Sequence, residues 1–410
     1  MSSRIEDYAL IGDTHTAALV SREGSIDWLC LPRFDSGACF AALLGTPQHG
    51  RWLLAPAGHI RQTRRRYRED TLILDTDHET TDGSVTVVDC MPLRDQHPTV
   101  VRVVKGREGR VRMRMELIVR FDYGSIVPRV RDLGGRWDMM AGPDAVCLRA
   151  DVEVRHEQQR MVAEFTVSAD QTISFVFTSY ASHESLPPVD DPHAAIKTTE
   201  QWWRDWSSRC TYEGPWRGAV IRSLITLKAL AYVPTGGIVA AVTTSLSEGL
   251  RGGFNWDYRF CWLRDATFTL RALLNGGYHE EAQAWRQWIL RAAAGEPADL
   301  QVVYGPAGER RLPEITLDWL PGYEGSSPVR VGNAAARQFQ LDIYGEVMDA
   351  MYQTCRNGIA PEPAAWRLQC ALIDHLESIW EQPDEGIWES RGHRRQFTYS
   401  KVMAWVAMDR

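Results

Sequence analysis

Arg264 and Asp265 stand side by side at the end of the run GFNWDYRFCWLRD, residues 253–265, just before a stretch of helical periodicity. A guanidinium offers five donors in a fixed fork and a carboxylate only accepts, so the pair can grip adjacent hydroxyls of one polyol. Tyr258 and Trp262, slightly upstream, add flat apolar faces that suit the C–H side of a sugar ring. The same pair also reads as a plain helix start, with Asp265 as cap and Arg264 as its ion partner.

A second stretch, PDEGIWESRGHRRQF at 383–397, crowds Asp384, Glu385 and Glu389 near Glu381, with Trp388 and a Gly turn among them. A carboxyl beside an indole can be desolvated enough to stay protonated near neutrality, as a general acid must. Asp384 and Glu385 read as a solvated acidic loop. Glu389, following Ile387 and Trp388, is the one expected to face a pocket. A third stretch, 318–346, carries Arg330 and Asn333 and leads into an expected helix. That helix would place Gln338, Asp342 and Glu346 on one face at i, i+4 and i+8. The stripe is either the wet side of an amphipathic helix or the lining of a cleft, the former being the plainer reading.

The elements that must position these residues fall into two halves, as a chain of 410 residues predicts. Residues 1–186 show short alternating runs between Gly and Asp-Gly turns, the pattern of a β-sandwich domain. Arg110, Arg112 and Arg114 alternate with Val111, Met113 and Met115, as on a half-buried antiparallel strand. Residues 187–215 open on two prolines and read as a linker with a short helix bearing Trp202, Trp203 and Trp206. From 216 to 410 the period is helical. Six helices are expected, the first around Val220–Ala231 and the others near 265–276, 279–294, 334–354, 363–380 and 398–410. The last of them has no terminating signal before Arg410.

Hydrophobic residues at 44% and charged residues at 24% mark a globular chain, and the net charge of −7 argues against nucleic acid or anionic membrane as partner. The basic cluster in RQTRRRYRED, residues 61–70, runs straight into acids, which argues against a nucleic-acid patch. No apolar run reaches the ~20 residues of a membrane span. The opening MSSRIEDYALIGD lacks an apolar signal core. Eight cysteines without a CxxC pair predict reduced thiols and a cytoplasmic protein. No phosphate-loop, dinucleotide or zinc-hydrolase motif occurs, and His78 and His393 lack companions at metal-ligand spacing, so neither a cofactor nor a metal is expected. Of 16 tryptophans, 13 fall at or after Trp202, which composition alone cannot divide between core filler and sugar platforms.

The strings RGGFNWDYRFCWLRDATFTLRALL, LPGYEGSSPVRVGNAAARQFQLDIYGEV and PDEGIWESRGHRRQFTYSKVMAWVAMDR resemble the glucoamylase and trehalase family of glycoside hydrolases, family 15. The N-terminal IEDYALIGDTHTAALVSREGSIDWLCLPRFDSGACF resembles the β-domain of its bacterial members. The resemblance implies a β-sandwich followed by an (α/α)6 barrel. It also implies inverting, exo-acting hydrolysis of α-glucosidic bonds in oligosaccharides, glucoamylase-like, with an α,α-trehalase as the alternative. A non-catalytic sugar-binding protein is a third reading. By the same resemblance Arg264 and Asp265 hold the terminal sugar, Trp262 and Tyr258 wall its subsite, and Glu389 is the general acid; Arg330 and Trp388 are further candidates for binding substrate, from their loops. Ser390 departs from the fungal enzymes, which have a second glutamate there. Inversion also needs a second carboxyl about 6.5–9.5 Å from the first. The family's base lies in the second half of the barrel, and nothing before Arg410 matches its motif. About half of the barrel and an incomplete site are therefore expected.

Overall fold

The computed structural model describes residues 3–188, 191–293 and 295–410. The chain divides into two compact units, and sheet-rich structure precedes helical structure. The first unit holds residues up to Ser208 with the loops 245–255 and 318–329; the second holds 209–244, 256–317 and 330–410.

One strand of 20 residues, Thr99–Ile118, organises the first unit. Its opening half, TVVRVVK, is apolar on both faces and lies between Thr172–Thr178 and Val85–Cys90. Its closing half alternates Arg with Val and Met and pairs with Arg51–Pro56 and Met161–Ser168. Two groups of antiparallel strands therefore share this strand and fold over one core. Phe177 from the first group meets Phe40 and Trp52 from the second, with ring centroids at 5.5 and 5.6 Å. Arg102 lies fully buried in the apolar half. Its guanidinium donates to Asp89 (2.7 Å), to the Trp52 carbonyl (2.6 Å) and to the Gly24 carbonyl (2.8 Å).

The expected linker at 187–215 is corrected here. Residues Pro192–Ser208 form a helix of 17 residues, α1, which belongs to the first unit. Ile196 packs among Ile73, Val88, Cys90, Val101, Val103 and Val176, and the Ser207 hydroxyl donates to the Asp70 carbonyl. The amphipathic pattern of α1 is thus met by a sheet face, which is why the segment is not a free connection. Two arginines of the basic cluster are paired within the unit: Arg66 with Asp77, and Arg68 with Asp75 and Glu200.

The second unit contains α2 (Arg217–Ala229), α3 (Leu263–Asn275), α4 (His279–Ala292), α5 (Asp342–Arg356), α6 (Pro363–Ile379) and α7 (Thr398–Asp409). These are the six expected helices. In α3 the buried residues Leu263, Ala266, Thr267, Leu270, Leu273 and Leu274 recur at three and four, and α6 begins on Pro363, whose missing N–H costs nothing there. α5 packs against α3 and α7, and is itself buried on nearly every side through Ile343–Met348.

The helix expected at 334–354 is broken. A 3-10 turn, Ala334–Arg337, ends at Gln338, which is extended (ψ 150°), and α5 starts only at Asp342. The cause lies downstream in sequence. The Glu385 carboxylate accepts from the Phe339 N–H (2.8 Å) and the Asp384 carboxylate from the Leu341 N–H (2.9 Å). Both amides are thereby withdrawn from any helix continuing through 338–341. No helix among the described residues is long and apolar enough to cross a membrane.

Replacing Arg102 with Leu should destabilise the protein by about 3–5 kcal/mol, because Asp89 is left as a buried unpaired charge. Urea unfolding followed by tryptophan fluorescence measures it, and an unchanged midpoint would contradict this account of the core.

Candidate active site

Trp262 closes a two-residue strand, Cys261–Trp262, that pairs antiparallel with Val303–Tyr304. It is still extended (φ −78°, ψ 134°), and the chain turns helical at Leu263. The indole is therefore buried, while Arg264 and Asp265 occupy the first turn of α3. The Tyr258 ring lies 5.6 Å from that of Trp262. Asp265 makes no cap bond; it pairs with Arg264 at 3.5 Å.

Glu389 arrives from the loop between α6 and α7 and is aimed at these residues. The Trp262 Nε1–H donates to Glu389 Oε1 at 2.5 Å, and an Arg264 nitrogen lies 3.5 Å from the same oxygen. Arg264 is also 3.5 Å from Asp342 Oδ2 and 3.5 Å from Gln340 Oε1. Glu389 itself has φ +53°, a left-handed conformation uncommon for a side chain of this size. Several contacts stabilise that turn. Gln338 donates to the Glu389 carbonyl (3.0 Å), Asp384 and Arg395 exchange two backbone bonds of 2.9 Å, and Arg394 donates to Glu385 (3.0 Å). Gly386 (φ +71°) must be glycine, since a Cβ there would sit 2.7 Å from the Phe397 ring.

Two guanidiniums lie over the Trp256 ring, Arg330 at 4.5 Å and Arg391 at 3.9 Å from its centroid. Glu314 bridges both, at 3.6 Å from Arg330 and 2.6 Å from Arg391. Arg391 follows Glu389 by two residues, so this stack also anchors the acid-bearing loop.

Burial dominates the protonation of the site. It raises Glu389 above the ordinary glutamate range, against the opposing pull of Arg264 and the Trp262 N–H. Burial likewise raises Asp342 and Asp265, each opposed by Arg264. Arg264 is itself disfavoured by burial, but Asp265, Asp342 and Glu389 together outweigh this and hold it charged. Behind them Glu346, one turn along α5 from Asp342, accepts a hydrogen bond from the Tyr399 hydroxyl (2.7 Å) and is pushed up to about 7 by burial. A carboxyl that holds its proton more tightly than usual, beside a cation and an indole, is suited to donating it, and Arg264 with Asp265 presents donors and acceptors to a polyol.

The structure thus brings together Trp262, Arg264, Asp265 and Glu389, with Tyr258 against Trp262. Arg330 lies instead in the Trp256 stack, and Trp388 projects into solvent, 87% exposed. Two readings of the loop are corrected. Asp384 and Glu385 are not solvated: Asp384 is buried, and both carboxylates accept backbone amides ahead of α5. Asp342 and Glu346 do not form a wet face, since both are buried, and Gln338 lies outside the helix. Gln340 and Tyr399 carried no sequence signal. His78 is buried near Thr63, and no group of three metal-ligating side chains occurs among the described residues.

Comparison with known proteins follows the same division. A family model described as "Trehalase-like, N-terminal" matches residues 1–202, and "Glycosyl hydrolases family 15" matches 214–410. The chain belongs to glycosyl hydrolase family 15. It is 34% identical to a protein named trehalase from Mycobacterium tuberculosis, over 99% of this chain and 64% of that protein. It is 31% identical to a trehalase of Thermoplasma acidophilum, over 95% of this chain and 68% of the relative. The fold resembles a bacterial glucoamylase solved with acarbose, with a TM-score of 0.63 at 10% identity, covering 95% of this chain and 60% of that one. The chain spans 64% of the length of the Mycobacterium tuberculosis relative.

Glu346 binds its proton more tightly folded than unfolded, so its stability contribution is complete below pH 4.5 and is lost as pH rises through about 7. Glu346→Gln escapes that loss. Between about pH 4.5 and about pH 8 the wild type should lose about 3 kcal/mol relative to this variant in urea unfolding, and a pH-independent difference would contradict it.

Proposed function

We propose that this chain carries the sugar clamp and general acid of an α,α-trehalase that hydrolyses its substrate to glucose with inversion. The observation that carries the proposal is the placement of Glu389 against Trp262 and Arg264, where burial raises it above the ordinary glutamate range. Glu389 gives that proton to the glycosidic oxygen as the bond breaks, and Arg264 with Asp265 fixes the hydroxyls of the departing glucose unit. Tyr258 and Trp262 wall the subsite. Inversion also calls for a second, water-activating carboxylate about 6.5–9.5 Å from the acid.

Trehalase is preferred to the glucoamylase-like reading because relatives named trehalase, 28–34% identical, run along nearly the whole chain. The likeness to glucoamylase rests on fold alone. Hydrolysis of α-glucan oligosaccharides is kept as the second reading for that structural neighbour. A cytoplasmic location is part of the proposal, supported by eight free cysteines, six of them buried.

Glucose release from trehalose, maltose and maltotriose tests the reading. Trehalose should be the best substrate, with kcat falling on the alkaline side at a pH above the ordinary glutamate range. Glu389→Gln should lower kcat by about 10²–10⁴-fold with sugar affinity little changed. Preference for maltotriose would favour the second reading, and binding without turnover would favour a lectin-like protein.

A further inference from the structure

Asp342 is the first residue of α5 and is fully buried, and Arg264 lies 3.5 Å from its Oδ2. The same guanidinium is 3.5 Å from Glu389. We propose that Asp342 is a positioning residue that draws the charge of Arg264 to itself and so keeps that charge from fully compensating Glu389. This rests on the reading of Glu389 as general acid.

The argument is one of competition. A buried guanidinium can neutralise one carboxylate well, and a second buried anion beside it goes largely uncompensated. Which carboxyl ionises first is decided by their surroundings. Asp342 has the more acidic side chain type and sits in the first turn of α5, where the helix dipole favours an anion. Glu389 lies in a loop with no helix terminus of its own; the Trp262 N–H favours its anion, but less than a full counter-charge would. On this proposal Arg264 pairs with Asp342, and Glu389 is the carboxyl that keeps its proton. Two other groups facing Asp342 work against its ionisation, and Arg264 has to outweigh them. Asp384 from the loop adds a like charge and Asp265 on α3 draws on Arg264 from the partly exposed side. Glu346 on α5 is tied to Tyr399 of α7.

Asp342→Asn keeps the shape and removes the competitor. In protein labelled with ¹³C at glutamate side-chain carboxyls, the Glu389 resonance is identified by its loss in Glu389→Gln, and its titration is followed by NMR. Glu389 should titrate about one pH unit or more lower in Asp342→Asn, and near the wild-type position in the charge-conserving Asp342→Glu. An unchanged titration in a folded Asp342→Asn overturns the proposal. If Asp342→Asn does not fold, Asp342→Ser takes its place; failure of both to fold beside a folded Asp342→Glu also overturns it, in favour of a purely structural role. This readout needs no turnover. Hydrolysis that survives Glu389→Gln would sink the functional reading and leave the titration result standing.

Discussion

Arg264 is the charge on which the polar interior of the helical unit depends. Carboxyls from three separate stretches approach it to 3.5 Å: Asp265 beside it, Asp342 at the head of α5, and Glu389 from the loop before α7. Each would be costly to bury as an isolated anion. One guanidinium cannot compensate three, so all three carboxyls are held above their ordinary range. An additional Lys or Arg at this point would make a firmer ion-pair network and a poorer proton donor.

Aiming Glu389 at Arg264 requires an unfavourable backbone conformation, φ +53°, and the loop is braced accordingly. Asp384 and Glu385 reach back to the amides of Leu341 and Phe339, while Gln338 reaches forward to the Glu389 carbonyl. The same contacts that fix the loop also stop the helix at 338–341. Breaking the helix is therefore not incidental to the site. It sets where α5 begins, and so places the carboxylate of Asp342 against Arg264 at the positive end of that helix.

The six helices of the second unit were legible because their apolar residues recur at three and four, and Glu389 and the Arg264–Asp265 pair were legible from residue type and the company of Trp. The break before α5 was not, since Ala334–Gln338 is a good helical string and the amides are captured by residues some 46 positions later. Asp342 and Glu346 were visible as a stripe but looked wet, because spacing reports which residues share a face and not what covers it. Here α3 and α7 cover it, and Tyr399 supplies a hydroxyl from a helix distant in sequence. The linker was misread for the same reason: α1 shows an amphipathic face, but most of the residues that Ile196 packs against lie far upstream, between Ile73 and Val103.

The abundance of tryptophan resolves into distinct physical roles. Trp203, Trp206, Trp285 and Trp288 are core, buried among apolar neighbours or edge-to-face with other rings. Trp216, Trp366, Trp388 and Trp405 are exposed. Trp262 and Trp256 serve the site, and each does so through more than a flat apolar surface. Trp256 offers its π face to two cations and thereby fixes Arg391 near the acid. Trp262 offers its N–H to Glu389, orienting the carboxyl while favouring its anion. An oriented acid is thus pulled toward losing its proton by the group that orients it. Burial must exceed that pull for the carboxyl to remain protonated, and an indole meets both needs because its ring excludes water on the side where its N–H donates.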